Sequence, residues 1–411
     1  MIRYWLFFLI LIGFSAPALA QDPAASIPEA DWAQIKTHID PAKVQWNPYK
    51  GLAVKKDGTP YRVLDLRLWM GDDYQVVAHF LAKTQLEAAG AKYTLLSSEF
   101  DAPLQIHMLE DAIATKAYDA VLLHPLDPQA MAVPVEKALA AGIDVYNWVV
   151  QIPGGKVSGF AGYNADEEDT NGKIGKEFVR IAKESGATPE NPMVVLEIWG
   201  IRAALLCVQR HNGMMKGIGD SKLVKVIESS DTGGQPEAQI KAIQDGFAKN
   251  PNIRGIYPQF GDANATIEGL RSVGRLTPAG DPKHVFVIFQ DIDKSMLPEL
   301  RKGTFHATVS NEPWHQMDVA IKQLLWHTVL KQPLGEGDYR TGKVQLPKTV
   351  ILPMPLLTKD TIDSPAAIVR GGSVAFTDIP LGKWEEWPVL DTSEIGLPTP
   401  TAADRKRLLG Y

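Results

Sequence analysis

Cysteine is nearly absent from this chain: Cys207 is the only one in 411 residues. That excludes an internal disulfide framework and any zinc site built from several thiolates. A dominant charge is missing too. Lys and Arg number 42 against 48 Asp and Glu, a formal net charge of −6, which argues against a nucleic-acid binder held through phosphate contacts. Long hydrophobic runs are lacking apart from one at the start. Residues 5–14 are apolar except for Gly13, follow Arg3, and lead into Ala18-Leu19-Ala20 before Gln21. This is the form of a cleavable export signal over residues 1–20. The run is about half the ~20 residues a spanning helix needs, so removal is expected rather than a permanent anchor. No cysteine stands at the cleavage point for lipid attachment. The expected location is therefore a bacterial periplasm, with no membrane insertion once the signal is removed. Hydrophobic residues at 45% and charged residues at 22% are ordinary for a globular protein, and the length predicts two or three domains.

What the chain does have is alternation. Residues 21–60, rich in Pro, Asp and Lys, predict an irregular arm. Strand-like runs at 62–68, 93–98, 120–123, 144–150 and 158–162 then alternate with helical runs at 75–89, 103–115 and 131–141. Gly90 and Gly142 directly follow two of those helices, as C-terminal caps do. Strands separated by helices of this length predict βαβ units and a parallel sheet. The pattern restarts with helix 169–185, strand 193–197, helix 205–218, strand 223–229, helix 236–250 and strand 253–257. Helix 263–273, strand 285–289, helix 295–302, strand 307–310 and helix 315–330 complete it. Ile240, Ile243 and Phe247 share one helical face, and Met317, Ala320, Ile321, Leu324 and Thr328 form a stripe on the last helix. So many units exceed one small sheet. The expectation is an α/β protein with two doubly wound parallel-sheet lobes. One more strand is expected at 349–352, followed by a tail over 358–411 packed on the body through Trp384 and Trp387.

Catalytic motifs fail on inspection. Gly337, Gly342 and Lys343 have phosphate-loop spacing, but Val344 replaces the required hydroxyl and no helix follows, so the stretch predicts a turn. Gly172 and Gly175 fall inside a helix, without the strand-turn context of a dinucleotide site. There is no G-x-S-x-G elbow, and no histidine pair has H-E-x-x-H spacing. Cys207, in an apolar run, reads as a buried small hydrophobe. Nothing nominates a base, a nucleophile or a metal. The expectation is a non-enzyme without a cofactor.

In open α/β sheets, ligands bind beyond the carboxyl ends of the strands. Those positions carry Trp69 and Tyr74 after the first strand, and Asn147-Trp148 on the fourth. The second half contributes Trp199 and Arg202, then Gln259 and Phe260, then Asp291 and Asn311. Flat aromatics mixed with amides and few carboxylates suit a cleft that stacks on an apolar face and hydrogen-bonds polar groups.

With these residues in place, the segments 120–127, 140–146, 157–164, 172–175, 289–291 and 302–309 resemble, in order, the ribose-type periplasmic sugar-binding proteins, the soluble receptors of ABC importers. The resemblance covers residues 62–353. It implies the type I periplasmic binding protein fold, two doubly wound parallel-sheet lobes joined by a three-segment hinge. The implied organisation is an N-terminal lobe of residues 61–162 plus 312–340 and a C-terminal lobe of 163–311 plus 341–357. The family's ligand-contacting aspartate falls on Asp291, its amide after the return strand on Asn311, and its crossover asparagine on Asn164. Its residue after strand one falls on Trp69 or Tyr74. Val149-Val150 stand where the family carries Asp-Arg, and Phe260-Gly261 where it carries Asn-Asp. Its sugar-binding arginine falls near Cys207-Val208, with Arg202 or Arg210 as substitutes. The lost bidentate donors favour a less hydroxylated or more apolar ligand than a standard pentose or hexose.

A second resemblance, in the arm, the tryptophan-rich cleft and the tail, is to periplasmic partners of sensor histidine kinases of the trimethylamine-oxide-sensing type. The leading expectation is a monomeric binding protein that closes on a small sugar-like or other neutral polar solute and delivers it to an ABC permease. Trp69, Trp148 and Trp199 would stack on the solute, while Asn164, Gln259, Asp291 and Asn311 orient it. Tyr74, Arg202 and Phe260 complete the lining. The alternative delivers the closed form to a sensor kinase's periplasmic domain.

Overall fold

The computed structural model describes residues 53–71, 73–163, 170–260, 262–291, 296–309, 313–335, 348–352, 354 and 356–362. The export signal, most of the N-terminal arm, the tail beyond 362, the Gly337–Lys343 turn, Asn164 and Asn311 lie outside the described residues.

The first half runs β1 (Arg62–Arg67), α1 (Asp73–Ala88), β2 (Lys92–Ser97), α2 (Ala102–Thr115), β3 (Ala120–Leu123), α3 (Pro128–Ala140), β4 (Asp144–Val149) and β5 (Gly159–Gly162). The second repeats it with α4 (Gly172–Glu184), β6 (Met193–Ile198), α5 (Leu205–Ile218), β7 (Val224–Glu228), α6 (Pro236–Lys249), β8 (Ile253–Pro258), α7 (Ala263–Ser272), β9 (Phe286–Gln290), α8 (Met296–Lys302) and β10 (Ala307–Val309). Helix α9 (Pro313–Leu324), which widens into a π-helical turn at Leu325–Val329, and the short strands β11 (Thr349–Ile351) and β12 (Leu356–Thr358) follow. Two six-stranded sheets result, with orders β11-β5-β4-β3-β1-β2 and β12-β10-β9-β8-β6-β7. All pairings are parallel except β10 with β12.

Parallel strands covered on both faces should be apolar throughout, and all residues of β3 and β6 but Glu197 are apolar and buried. The pleat sorts them by side. Leu64, Leu66, Val121 and Leu123 pack under α2 and α3, while Val63, Ala120, Leu122 and Trp148 pack toward α1 and α9. The expected stripe on α9 forms: Met317, Ala320, Ile321, Leu324 and Thr328 are all buried. Asp101, Asp127 and Asp262 cap the N-termini of α2, α3 and α7 through their carboxylates. Gly172 and Gly175 find their use here. A Cβ on Gly175 would lie 2.0 Å from the Met214 carbonyl oxygen, and one on Gly217 would lie 1.9 Å from that of Gly172. Only glycines allow α4 and α5 to approach so closely.

The chain passes between the sheets three times: after β5, after β10, and between β11 and β12. The segment 341–357, expected in the second lobe, is divided. The Phe160 amide donates to the Lys348 carbonyl (2.7 Å) and the Leu352 amide to that of Gly162 (2.7 Å), so β11 extends the first sheet. Only β12, which the sequence pattern did not predict, joins the second. The end of the N-terminal arm is also more regular than expected. Ala53 is fully buried, bonds Ala89, and opens a tight hairpin closed by the Val54–Pro60 bridge.

Candidate functional site

The strand order reverses beside β1 in the first sheet and beside β6 in the second, so the crevice beyond their carboxyl ends is where a ligand belongs. Each lobe places an arginine there. In the first, Arg67 ends β1 and donates twice to Asp65 Oδ2 (2.9 and 2.7 Å) and once to the Gln75 carbonyl (2.6 Å). The Tyr93 hydroxyl donates to the same carboxylate oxygen at 2.5 Å. The guanidinium lies 4.9 Å from the Trp148 ring centroid. Trp148 is 0% exposed, stacked against Tyr74 at 6.0 Å and 8°, with His124 at 4.6 Å. Burial, with the Arg67 charge beside it, pushes the His124 imidazole well below its usual value, so it is neutral.

The second lobe places Arg210 on α5. Its Nη2 donates to Asp291 Oδ2 (2.8 Å) and to the Tyr163 hydroxyl (3.3 Å), and its Nη1 to the Gln259 carbonyl. Phe260 lies under the guanidinium at 5.2 Å. Burial disfavours the Arg210 charge, but Asp291 beside it outweighs that and holds the group firmly protonated. Tyr163 follows β5 at the first crossing, and burial pushes its hydroxyl up to about 12 despite the nearby arginine. Arg210 is 2% exposed, whereas the Asp291 side chain is 34% exposed. A left-handed non-glycine residue closes the fourth strand of each lobe: Val149 (φ 71°) is the last residue of β4, and Asp291 (φ 66°) directly follows β9. Such a conformation is costly for a β-branched or bulky side chain and clusters at functional sites.

A cavity of about 230 Å³ opens near this pair, walled by residues 151–155, Tyr163, Leu205, Gln209 and Ile351. Its walls come from both lobes and from the first crossing.

The sequence-expected residues therefore fall into separate groups. Gln259, Phe260 and Asp291 meet at Arg210. Gln259 is itself fully buried, taking the Gly200 amide (3.2 Å) and donating to Glu197 (2.7 Å), so it ties strand ends together rather than facing outward. Tyr74 and Trp148 pack inside the first lobe. Trp69 is half-buried at the rim against Phe100, ring centroids 5.0 Å apart. Trp199 is 5% exposed and covered by Arg202 (4.3 Å) and His211 (5.0 Å). The expected stacking faces of Trp148 and Trp199 are thus already occupied by protein groups. Arg202 pairs with Glu228 (2.7 Å) and Asp231 (3.0 Å) at the surface. Between the two substitutes left open by the sequence, Arg210 is the one that reaches Asp291. Sequence reasoning missed Arg67, Tyr163, Gln151 and Gln209. Position at a strand end could have flagged the first two, but no local signal marks the glutamines.

Two six-stranded lobes, three crossings and a crevice between facing strand ends define a type I periplasmic binding protein. The family model of the periplasmic binding protein domain matches residues 69–328, and the chain belongs to that family. The ribose import binding protein of Bacillus subtilis (strain 168) is 24% identical over 225 residues, covering 54% of this chain and 67% of that protein. A carbohydrate transporter solute-binding protein from Agrobacterium radiobacter, solved with D-arabinose, is 19% identical with a TM-score of 0.63, covering 76% of this chain and 98% of that one. An ABC transporter solute-binding protein from Burkholderia graminis, solved with D-arabinose, is 22% identical with a TM-score of 0.60, covering 76% of this chain and 98% of that one.

Proposed function

We propose that this protein captures a small sugar-like or other neutral polar solute between its lobes and delivers it to an ABC permease. The observation that carries this reading is the Arg210–Asp291 pair. It is a carboxylate held just past a strand end in a left-handed conformation, paired with a buried arginine, and one-third exposed. A carboxylate so held offers acceptor lone pairs to ligand hydroxyls without having to reorganise. The relatives named as importing ribose or solved with D-arabinose favour a monosaccharide-sized solute. Trp69, at the rim, supplies an apolar face for a sugar ring. Asn164 and Asn311, which the family resemblance assigns to the ligand, would add amides. Capture requires that the solute prefer the closed arrangement, since equal affinity for both states shifts nothing. An export signal over residues 1–20 would place the protein in the periplasm.

Calorimetric titration of the protein with D-ribose, D-arabinose and short polyols, paired with small-angle scattering, tests this reading. One-site saturable binding with a smaller radius of gyration at saturation is expected. Binding without compaction would remove the hinge-closure mechanism.

A further inference from the structure

Four strands lie at the sheet edges, and three of them are guarded. β11 and β12 are only three residues long, and β7 carries exposed Lys225 and Glu228. Short edges and edge charges are common protections against strand-to-strand association. β2 has neither. It is six residues long, and after Lys92 it reads Tyr93-Thr94-Leu95-Leu96-Ser97, without charge, proline or glycine. Its backbone groups alternate in direction. The Lys92 amide donates to the Tyr61 carbonyl (2.7 Å) and the Ser98 amide to that of Arg67 (3.0 Å), so the even-numbered residues bond β1. The amides and carbonyls of Tyr93, Leu95 and Ser97 point the other way, and none has a hydrogen-bond partner among the described residues. The ends of the strand differ. At its carboxyl end Glu99 (φ 47°) and Phe100 (φ 64°) are left-handed, a costly conformation for bulky residues. Phe100 is 54% exposed there and Leu104 40%, beside the exposed carboxylates of Glu99 and Asp101. At the amino end stands the exposed Lys92, without an ion pair among the described residues. Leu95, at the middle, is half-buried and packs into neither the core that takes in Tyr93 nor the one that takes in Leu96.

We infer that the β2 edge takes a second copy of this chain: two β2 strands pair antiparallel about a two-fold axis at Leu95, in place of the monomer expected from the sequence. The register follows from the backbone. Outward residues must meet outward residues, so Tyr93 faces the partner's Ser97 and Leu95 faces the partner's Leu95, with about six hydrogen bonds exchanged. The two first-lobe sheets become one continuous sheet. The half-buried Leu95 side chains cover each other at the axis. The same axis carries the acidic, aromatic carboxyl end of each strand onto the partner's Lys92. A two-fold contact needs a surface complementary to itself, and opposite charges at the two ends of one strand supply it, whereas an unrelated peptide strand has no need of them. Only the first lobe takes part, which leaves the second free to move against it.

Sedimentation equilibrium of the full protein from about 1 to about 200 µM follows the mass, and hydrogen exchange follows the Tyr93, Leu95 and Ser97 amides. The mass should rise from one chain to two, and these amides should slow as it does. Leu95→Lys sets like charges against each other across the axis. Leu95→Pro removes an outward donor without touching the bonds to β1. Each should weaken dimerisation at least about tenfold. Melting temperatures check that the variants fold, and the Lys variant carries the test if the Pro variant does not. Val133→Lys, which changes a 61% exposed residue on α3, should leave the dimer intact. A single chain at every concentration overturns the inference. So does a dimer that Leu95→Lys leaves unchanged, or one that Val133→Lys dissolves as readily. Slow exchange at Leu95 in a single chain would show another segment on the edge, and would overturn the second copy as its occupant.

Discussion

The two lobes are built on the same strand order, and each sets an arginine–aspartate pair near the carboxyl ends of its strands, yet the pairs differ in one respect. Asp65 and Arg67 are both 0% exposed, closed in by Tyr93, Gln75 and Trp148. Arg210 is equally hidden, but its partner Asp291 is one-third open. A sealed pair fixes the strand ends of the first lobe. A half-open pair leaves a carboxylate that a ligand can use. The fold supplies the same buried device twice, and only the second copy faces outward.

The largest expected effect breaks the sealed pair. Asp65→Asn leaves Arg67 charged and uncompensated in a dry site, and should cost about 3–5 kcal/mol of unfolding free energy. Asp291→Asn admits water to Arg210, so its cost should be under half of that. Urea unfolding of both variants measures the difference, and equal losses would erase the distinction between the lobes.

A second contrast lies in the histidines beside each cluster. Burial holds His79 and His124 well below the usual imidazole value. His211 is raised instead, chiefly by its hydrogen bond to Glu197 at 2.7 Å. For the lowered pair, stability is fully present above the unfolded value of about 6.5 and falls as pH drops below it, by up to ~1.4 kcal/mol per unit for each histidine. For His211 the sign reverses: its contribution is fully present below about pH 6.5 and is lost as pH rises through the raised folded value. His284, at the edge of β9, is lowered by burial like the first lobe's pair. Imidazole titration by NMR should show His211 protonated where His79 and His124 are neutral, and a shared midpoint would refute the assignment. The smallest effect belongs to Arg202. Its ion pairs with Glu228 and Asp231 are roughly 40% exposed, so Arg202→Ala should cost less than about 1 kcal/mol and leave solute affinity unchanged by calorimetry.

Much of the architecture was legible in the sequence because parallel strands and amphipathic helices leave strong periodic signals. Strands β1 to β11 fall within two residues of their expected positions. The antiparallel β12 did not show, since three residues at a sheet edge carry no period. The side taken by β11 was also hidden, being decided by long-range pairing with Gly159–Gly162. Site residues were harder. Period-2 alternation tells which face of a sheet a side chain occupies but not how deep it lies, so Trp148 and Trp199 read as cleft-facing when neighbours cover them. Arg202 and Arg210 are alike as letters. Only the start of α5 at Leu205 decides that one stays on the surface loop while the other enters the helix and reaches Asp291.

The central claim is that the open pair of the second lobe holds the solute, and calorimetric titration of Asp291→Asn beside the wild type tests it most directly. With the sugar that binds the wild type, the account requires an affinity loss of at least about tenfold, since a charge-accepting hydrogen bond contributes about 1.5–3 kcal/mol. Wild-type affinity in a folded Asp291→Asn protein would contradict it.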